Sequence, residues 1–412
     1  MTTGVLRNPD FLRFLSSHVA NELGANISRV ALPLVAVLVL HAGPAEVGAL
    51  SALQTAAFLL IGLPAGVWVD RMRRRRVMMA SDLIRFLLLG SVPLAAELGV
   101  LSIEMLFVVA LLAGAAQVFN DVADQSYLPS LVSTGQLGDG NAKLEVVRSG
   151  AFLAGPGLGG ALVQLLGASR TLFGTALGAL ASVLVLSSIK SPDKPPVTTE
   201  QTSLMRGIRE GLAYVWHDRL MSRFVMSTGA SNLCVSAVLA LSVLFLSEEV
   251  RLAPGVIGVL LMSGGIGGLI GGLTGGWLSR RYGTARMTWL AVTVGAPFGL
   301  LLPMTEADWR VVCFAITSIM LSWSAALTNV GQVTYRQTVT PEHMLGRVNA
   351  SVRFMVWGMM PLGALLGGLI AQGIGVRQAL WVFMTGRLLG FLPLLFSQLP
   401  RMRDFSEVQA RS

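Results

Sequence analysis

Long apolar segments recur along the whole chain, and they limit what it can fold into more than any other feature. A helix needs roughly 20 predominantly apolar residues to cross a bilayer. Hydrophobic residues make up 53% of the 412 positions and charged residues only 13%, where an ordinary soluble domain has about 25% charged residues. This composition excludes a disordered chain, a coiled coil and a typical soluble enzyme. We therefore expect an all-α membrane protein.

Twelve segments have the length and hydropathy of transmembrane helices. They cover residues 12–38, 46–68, 77–97, 103–126, 146–167, 170–189, 219–246, 254–278, 287–304, 310–334, 350–371 and 376–398. The longest connection, 190–218, joins a Pro/Ser/Thr-rich stretch to an amphipathic segment that predicts an interfacial helix. The apolar face of that segment carries Leu204, Ile208, Leu212 and Val215.

This connection divides the chain into three predicted parts. They are an N-terminal six-helix bundle (1–189), a cytoplasmic linker with the interfacial helix (190–218) and a C-terminal six-helix bundle (219–412). If both termini are cytoplasmic, 24 of the 31 lysines and arginines lie on the cytoplasmic side and 4 on the other. The positive-inside rule therefore predicts cytoplasmic termini in a bacterial inner membrane. The net charge of +9 then reflects topology and contact with membrane lipid rather than nucleic-acid binding.

The two predicted bundles share an internal repeat. LGDGNA (Leu137–Ala142) aligns with LGRVNA (Leu345–Ala350), and GVWVDR (Gly66–Arg71) aligns with GGWLSR (Gly275–Arg280) at nearly the same offset. With six spans in each half, both halves enter the membrane in the same sense. Parallel repeats of this kind pack about an axis along the membrane normal and form a site between them. The sequence thus predicts two pseudo-symmetric bundles.

At these residues the chain resembles the major facilitator superfamily. GVWVDRMRRRR is similar to the signature loop of that family, and GPGLGG is similar to its antiporter motif. RVALPL and TYRQTVTPEHMLGRVNAS resemble the drug and siderophore exporter branch, which includes macrolide efflux and enterobactin export proteins. The resemblance implies alternating access, a gating loop and an antiporter motif. The implied gating residues are Gly66, Asp70, Arg71, Arg74 and Arg75 with Arg280 in the second copy, and the implied antiporter residues are Gly155, Pro156, Gly159 and Gly160.

Polar residues inside the predicted first span form the first candidate site. An ionisable group within a membrane span is costly, so it is a functional candidate by default. Glu22 lies in the middle of this span, and spacings of four, four and three place it on one face with His18, Asn26 and Arg29. That face must contact water or protein rather than lipid. We interpret Glu22, Asn26 and Arg29 as proton-coupling or substrate-binding residues.

Two carboxylates in the fourth span form the second candidate site. Asp121 and Asp124 are three residues apart and predicted to face the same way. Neighbouring carboxylates in a low dielectric cannot both be ionised cheaply, so one is expected to hold a proton, as a proton-coupled carrier requires. Their repeat partners, Asn329 and Gln332, do not titrate. The alternative for Asp124 is solvation, or an ion pair with Lys143 or Arg148; for Asp82 and Arg85 we favour a structural ion pair.

These features predict a secondary transporter that exports a small amphipathic compound in exchange for protons. The sequence has no Walker motif, no metal-ligand spacing and no catalytic constellation. We therefore expect no cofactor, no enzyme activity and the proton gradient as energy source, in a protein that works as a monomer. Two alternatives remain open: an importer or lysophospholipid flippase of the same fold, and a membrane sensor that binds its ligand without transport.

Overall fold

A computed structural model describes residues 5–133, 136–191 and 204–405, with the backbone alone at positions 63, 66, 67, 70, 204–208, 342, 343 and 346. Every regular element in these ranges is helical, so the predicted all-α class is confirmed. Of the helices described, 11 are long and apolar enough to cross a membrane. Helix α1 (Pro9–Leu38) has 30 residues but falls outside that set, because polar residues interrupt its apolar sequence. It is the helix that carries the first candidate site.

The first of two compact units comprises Met1–Thr199 and Leu252–Met262. After α1 the helices of this unit are α2 (Pro44–Asp70), α3 (Arg74–Glu97), α4 (Ile103–Leu131), α5 (Leu137–Leu166) and α6 (Ala168–Ser187). Helix α1 packs against α5 and α6, α2 against α4, and α3 against α4 and α6. Neighbouring helices therefore cover part of the polar face of α1.

Two local features fix the ends of helices in this unit. The side chain of Asn8 accepts hydrogen bonds from the backbone N–H groups of Asp10 and Phe11, and Pro9 occupies the first helical position, a combination that favours a helix start. Gly167 has φ +87° between α5 and α6. Glycine adopts this left-handed conformation without steric cost, so α6 begins directly where α5 ends.

The second unit comprises Glu200–Arg251 and Ser263–Ser412. Its helices are α7 (Leu204–His217), α8 (Arg219–Leu244) with a π-helical turn (Phe245–Glu249), α9 (Pro254–Tyr282), α10 (Thr284–Gly295) with a 3-10 segment (Ala296–Met304), α11 (Val311–Val339), α12 (Glu342–Ile374), α13 (Val376–Gly390) and α14 (Leu392–Leu395). The boundary between the units falls inside the predicted linker, while the first turns of α9 group with the first unit. Helix α8 packs against α12 and α13, and α10 packs against α11.

The amphipathic segment of the linker forms α7, and part of its apolar face contacts protein. Val215 is fully buried in one cluster with Val348 and Val352 of α12. A carboxylate oxygen of Glu210 lies 2.5 Å from Nη1 of Arg347, which fixes α7 on the first turns of α12. The side chains of Leu204 and Ile208, which the sequence places on the same face, lie outside the described part of the chain.

Candidate proton and substrate site in the first helical unit

The polar face predicted on α1 exists, and its members contact one another. Nδ2 of Asn26 donates to the backbone carbonyl of Glu22 at 2.8 Å, and Nη1 of Arg29 donates to Oδ1 of Asn26 at 3.3 Å. Asn26 is buried, Glu22 is half-buried and Arg29 is exposed. The face therefore runs from a buried centre to an exposed edge.

The centre of the site is a contact between α1 and α4. Nδ1 of His18 lies 3.2 Å from Oδ1 of Asp124, and both side chains are almost completely buried. The other ring nitrogen of His18, Nε2, is buried and has no hydrogen-bond partner among the described residues. A buried polar atom without a partner is costly. The pair therefore stabilises the fold less than a fully hydrogen-bonded pair would.

Asp121 does not share the environment of Asp124. It is exposed, and Oδ1 accepts a hydrogen bond at 2.6 Å from Nε2 of Gln117, one turn earlier on α4. A spacing of three residues leaves two side chains some 60° apart around a helix. That difference directs Asp124 towards α1 and leaves Asp121 at the exposed edge. The structure thus separates the two carboxylates, which the sequence led us to expect on one face.

Glu22 has a cationic partner on α5. Nε of Arg148 lies 3.7 Å from Oε1 of Glu22, and Nη1 of the same arginine donates to the exposed Glu145 at 3.3 Å. Both Glu22 and Arg148 act electrostatically on His18. The ion pair proposed above for Asp124 and Arg148 is not present; Arg148 pairs with Glu22 and Asp124 with His18. The two pairs form one ionisable cluster at the junction of α1, α4 and α5.

A buried hydrogen-bond network next to this cluster links four helices. Asn21 of α1 donates through Nδ2 to Oδ1 of Asn120 at 2.6 Å, and Nδ2 of Asn120 donates to Oδ1 of Asp82 on α3 at 2.8 Å. Arg85 donates to Oδ1 of Asn21 and lies 3.7 Å from Asp82. Oγ of Ser182 on α6 donates to Oδ2 of Asp82 at 2.5 Å. The network confirms the ion pair between Asp82 and Arg85.

Sequence reasoning missed several members of this network. Ser17 and Ser182 bond to each other at 2.8 Å, and neither they nor Asn21 stood out, because small polar residues are common in membrane helices. His18 was placed on the correct face but was not selected as a site residue. Its position one turn before Glu22, on the same face as an in-span acid, was the available indication.

The second unit presents a different chemistry. Nε2 of Gln332 donates to Oγ1 of Thr228 at 2.6 Å, while Asn329 is exposed on α11. Arg387 of α13 is only 3% exposed. Its Nε donates to Oγ of Ser231 at 3.2 Å, and its Nη1 has no hydrogen-bond partner within the described ranges. The second unit therefore holds a buried cation in addition to the hydrogen-bonding groups that the sequence predicted.

The predicted gating loop is described only in part. Gly66 and Asp70 belong to α2, but their side-chain surroundings lie outside the described part of the chain. The gating role of Asp70 therefore stays a prediction. Arg71 follows the last residue of α2 and is exposed, as is Arg280 in the last turn of α9. Arg74 is half-buried at the start of α3.

Arg75 has a partner that the sequence did not indicate. Its guanidinium donates to the backbone carbonyls of Ile189 at 2.6 Å and Ser187 at 3.1 Å. The last carbonyls of a helix have no partner within that helix. Arg75 therefore fixes the end of α6 against the start of α3.

The antiporter-like motif forms close helix contacts in the first unit. Gly155 lies against the side chain of Asn26, and a Cβ at Gly159 would be 3.3 Å from the backbone oxygen of Ile27. Side chains larger than hydrogen at these positions would push α5 away from α1. The glycines of the motif thus allow α5 to pack closely against the polar face of α1.

The same motif also contacts the beginning of α9. A Cβ at Gly160 would be 2.8 Å from Cα of Gly258, and the carbonyl of Pro156 lies against Gly258. Pro156 is inside α5, where it lacks the N–H of a normal helical residue. The motif is therefore closely packed on two sides of α5.

The ionisable side chains of this site differ in burial. Glu22 is half-buried and Asp121 is exposed, whereas His18 and Asp124 are buried. Among the side chains described, no group of three histidines, cysteines or acids stands together as a metal site. The fold and this cluster define a multi-pass membrane transporter.

The chain belongs to the transmembrane secretion effector family, whose model matches residues 3–411, and thereby to the drug-exporter branch of the major facilitator superfamily. It is 28% identical over 416 residues to the multidrug efflux pump Tap of Mycolicibacterium fortuitum, covering 98% of both chains. It is 23% identical over 340 residues to macrolide efflux protein A of Streptococcus pyogenes, covering 81% of this chain and 82% of that protein. The superfamily resemblance found in the sequence is therefore confirmed.

Solved structures agree with the fold. The nucleoside transporter NupG superimposes with a TM-score of 0.75 at 13% identity, covering 93% of this chain and 98% of that chain. A bacterial homologue of the iron transporter ferroportin gives a TM-score of 0.74 at 18% identity, covering 97% and 100%. At these identities the likeness concerns the architecture and carries no information about substrate.

Proposed function

We propose that this transporter exports amphipathic organic compounds across a bacterial inner membrane in exchange for protons. Similarity to a multidrug efflux pump and to a macrolide efflux protein supports this substrate class and direction. One observation supports proton coupling above the others. The accessible ion pair of Glu22 and Arg148 lies beside the buried pair of His18 and Asp124.

The exchange follows from the charge of Glu22. When ionised, its carboxylate attracts Arg148 or a polar or cationic group of the cargo. When a proton from outside neutralises it, that attraction is lost, so proton loading and cargo retention exclude each other. The pair of His18 and Asp124 provides a second, buried acceptor from which the proton leaves on the other side. Cargo and proton thus move in opposite directions, and no other energy source enters the cycle.

The orientation in the membrane is part of the proposal. The distribution of lysine and arginine, 24 of 31 on one side, supports cytoplasmic termini and a cytoplasmic position for the loop after α2. Reporter fusions at the C-terminus test this orientation. Alkaline phosphatase fused there should be inactive, and a cytoplasmic fluorescent protein should fold; active phosphatase would overturn it.

Proteoliposomes with an imposed pH gradient test the coupling. Purified protein should accumulate a radiolabelled macrolide when the gradient is present, and a protonophore should abolish that accumulation. Glu22→Gln should reduce accumulation at least ten-fold while counterflow of labelled against unlabelled macrolide continues. Glu145→Gln is the matched control, since Glu145 contacts the same Arg148 from the exposed surface.

The outcomes of this experiment separate the alternatives. Accumulation that persists with the gradient collapsed, or that is equal in Glu22→Gln and the unmodified protein, would contradict proton coupling through Glu22. Accumulation driven by the opposite gradient would favour an importer, and labelled lysophospholipid moving in place of the macrolide would favour a flippase. Saturable binding without counterflow would favour a sensor.

A further inference from the structure

A long groove of about 880 Å³ opens on the first unit between the end of α2, α3 and α4. Trp68, Arg73 and Arg76 line one end of it. From there, α3 and α4 form two apolar walls, with Ile84 and Leu88 on α3 and Leu112 at the far end of the α4 wall. None of the site residues discussed above lines the groove, and all of the residues that line it lie in the first unit.

The dimensions of the groove match one leaflet of a bilayer. From Arg76 to Leu88 the helix α3 rises about 18 Å at about 1.5 Å per residue. Half of a hydrocarbon core of about 30 Å is about 15 Å. The length of the groove therefore matches the depth that one acyl chain occupies.

The two ends of the groove differ in chemistry. Ile84 and Leu112 are each 46% exposed, and among the described residues that line the groove only Ser81, the two arginines and the indole N–H of Trp68 are polar. Arg73 and Arg76 are exposed, and no carboxylate of the described side chains pairs with either. Arg75 lies between them in sequence, but its guanidinium donates hydrogen bonds to the carbonyls at the end of α6. Two cations therefore stand at the mouth of an otherwise apolar cleft.

Trp68 supports the groove at its charged end. It is 48% exposed and stacks on Phe119 of α4 with ring centroids 6.0 Å apart and an interplanar angle of 9°. Tryptophan is typical of the membrane interface, where its apolar ring and polar N–H both find partners. The stacked pair places the arginine pair at headgroup depth and the apolar walls below it.

We propose that this groove is a binding site for an anionic diacyl phospholipid. The phosphate contacts Arg73 and Arg76, and one acyl chain lies between α3 and α4. Guanidinium groups suit phosphate because they offer paired N–H donors in a fixed geometry. The bound lipid joins the turn between α2 and α3 to α4. This site is independent of the proton exchange proposed for Glu22.

Fluorescence quenching of Trp68 tests the proposal. Delipidated protein in detergent is titrated with phosphatidylglycerol or phosphatidylcholine that carries bromine on one acyl chain. Phosphatidylglycerol should give a saturable quenching component with at least ten-fold higher apparent affinity than phosphatidylcholine. That component should disappear in Trp68→Phe, which identifies the groove as its origin.

Three further variants separate a groove-bound lipid from a lipid held at the surface. Arg73→Gln with Arg76→Gln should weaken the phosphatidylglycerol affinity at least ten-fold, and Ala80→Phe, which adds no new tryptophan, should block it by filling the cleft. Arg7→Gln removes an exposed cation elsewhere in the unit and should leave the titration unchanged. Equal quenching by both lipids, or full affinity in the filled cleft, would overturn the proposal. Size-exclusion profiles identical to the unmodified protein show that the variants are folded.

Discussion

Nδ1 of His18 lies 3.2 Å from Oδ1 of Asp124, and this contact joins α1 to α4 in a region that water does not reach. Nε2 of the same ring has no described partner, while Glu22 and Arg148 act on it from the accessible side. The histidine thus contacts a buried acid and lies one turn of α1 before the half-buried Glu22. In the proton exchange proposed above, His18 is the intermediate between these two acids.

Replacing both partners should cost less stability than the sum of the two single replacements. His18→Gln leaves a buried carboxylate without its partner, and Asp124→Asn leaves the imidazole without its acid; each should lower the free energy of unfolding by about 1–3 kcal/mol. The double variant should lose less than the sum of the two, because no unmatched group remains. Thermal unfolding in detergent measures this, and strictly additive losses would show that the two side chains do not interact.

The pair of Asp82 and Arg85 should behave as a structural element. Arg85 is 4% exposed and 3.7 Å from Asp82, so Arg85→Met leaves an unpaired buried carboxylate. Breaking a buried ion pair on one side costs about 3–5 kcal/mol. Adding Asp82→Asn should restore a large part of the lost stability. Transport per folded molecule should change little in the double variant; complete loss of transport in folded protein would instead assign the pair to the transport cycle.

The helices could be predicted because membrane insertion depends on length and hydropathy, which are local properties. The tenth predicted span, 310–334, corresponds to α11 (Val311–Val339). The fifth begins at Leu137 rather than near 146. Its first turns carry Asp139, Lys143 and Glu145, and a hydropathy criterion detects only the part of a helix that lies in the apolar core.

The site could be predicted only within single helices. Spacing along α1 placed His18, Glu22 and Asn26 on one face, because helix geometry fixes such neighbours. The partner of Asp124 and the contact between Glu22 and Arg148 depend on how α1, α4 and α5 slide against one another, and no residue spacing encodes that. Arg148 was therefore considered for Asp124, although packing directs it to Glu22.

Gly160 should tolerate no side chain, although Gly150 on the same helix should. A Cβ at Gly160 would stand 2.8 Å from Cα of Gly258, whereas a Cβ at Gly150 meets nothing within 4 Å. Gly160→Ala should therefore lower stability by about 1–3 kcal/mol through overpacking, and Gly150→Ala should be neutral or slightly stabilising. Unfolding midpoints of the two variants check this, and equal midpoints would mean that α5 and α9 do not touch at Gly160.

Asp10 should make stability depend on pH at the acidic end. It lies before the predicted first span, where its carboxylate accepts hydrogen bonds from the hydroxyl and backbone N–H of Ser191 at 2.6 and 2.9 Å. The Ser191 hydroxyl, helped by the backbone N–H groups of Lys190 and Ser191 and by Arg13, lowers the pKa of Asp10 from 3.8 to about 2, although burial acts in the opposite direction. The folded protein thus holds this carboxylate ionised at a pH where the unfolded chain binds a proton.

The sign of the effect follows from that difference. The stabilisation by Asp10 is complete above pH 3.8 and is lost as the pH falls through about 2. Asp10→Asn should lower the free energy of unfolding by about 1.5–3 kcal/mol at neutral pH, the range for a hydrogen bond to a charged group. The difference in the free energy of unfolding between Asp10→Asn and the unmodified protein should disappear between pH 4 and pH 2. Ser191→Ala removes the strongest donor, so it should differ from the unmodified protein by less over the same range. A difference for Asp10→Asn that stays constant down to pH 2 would show that the stabilisation does not come from the ionised carboxylate.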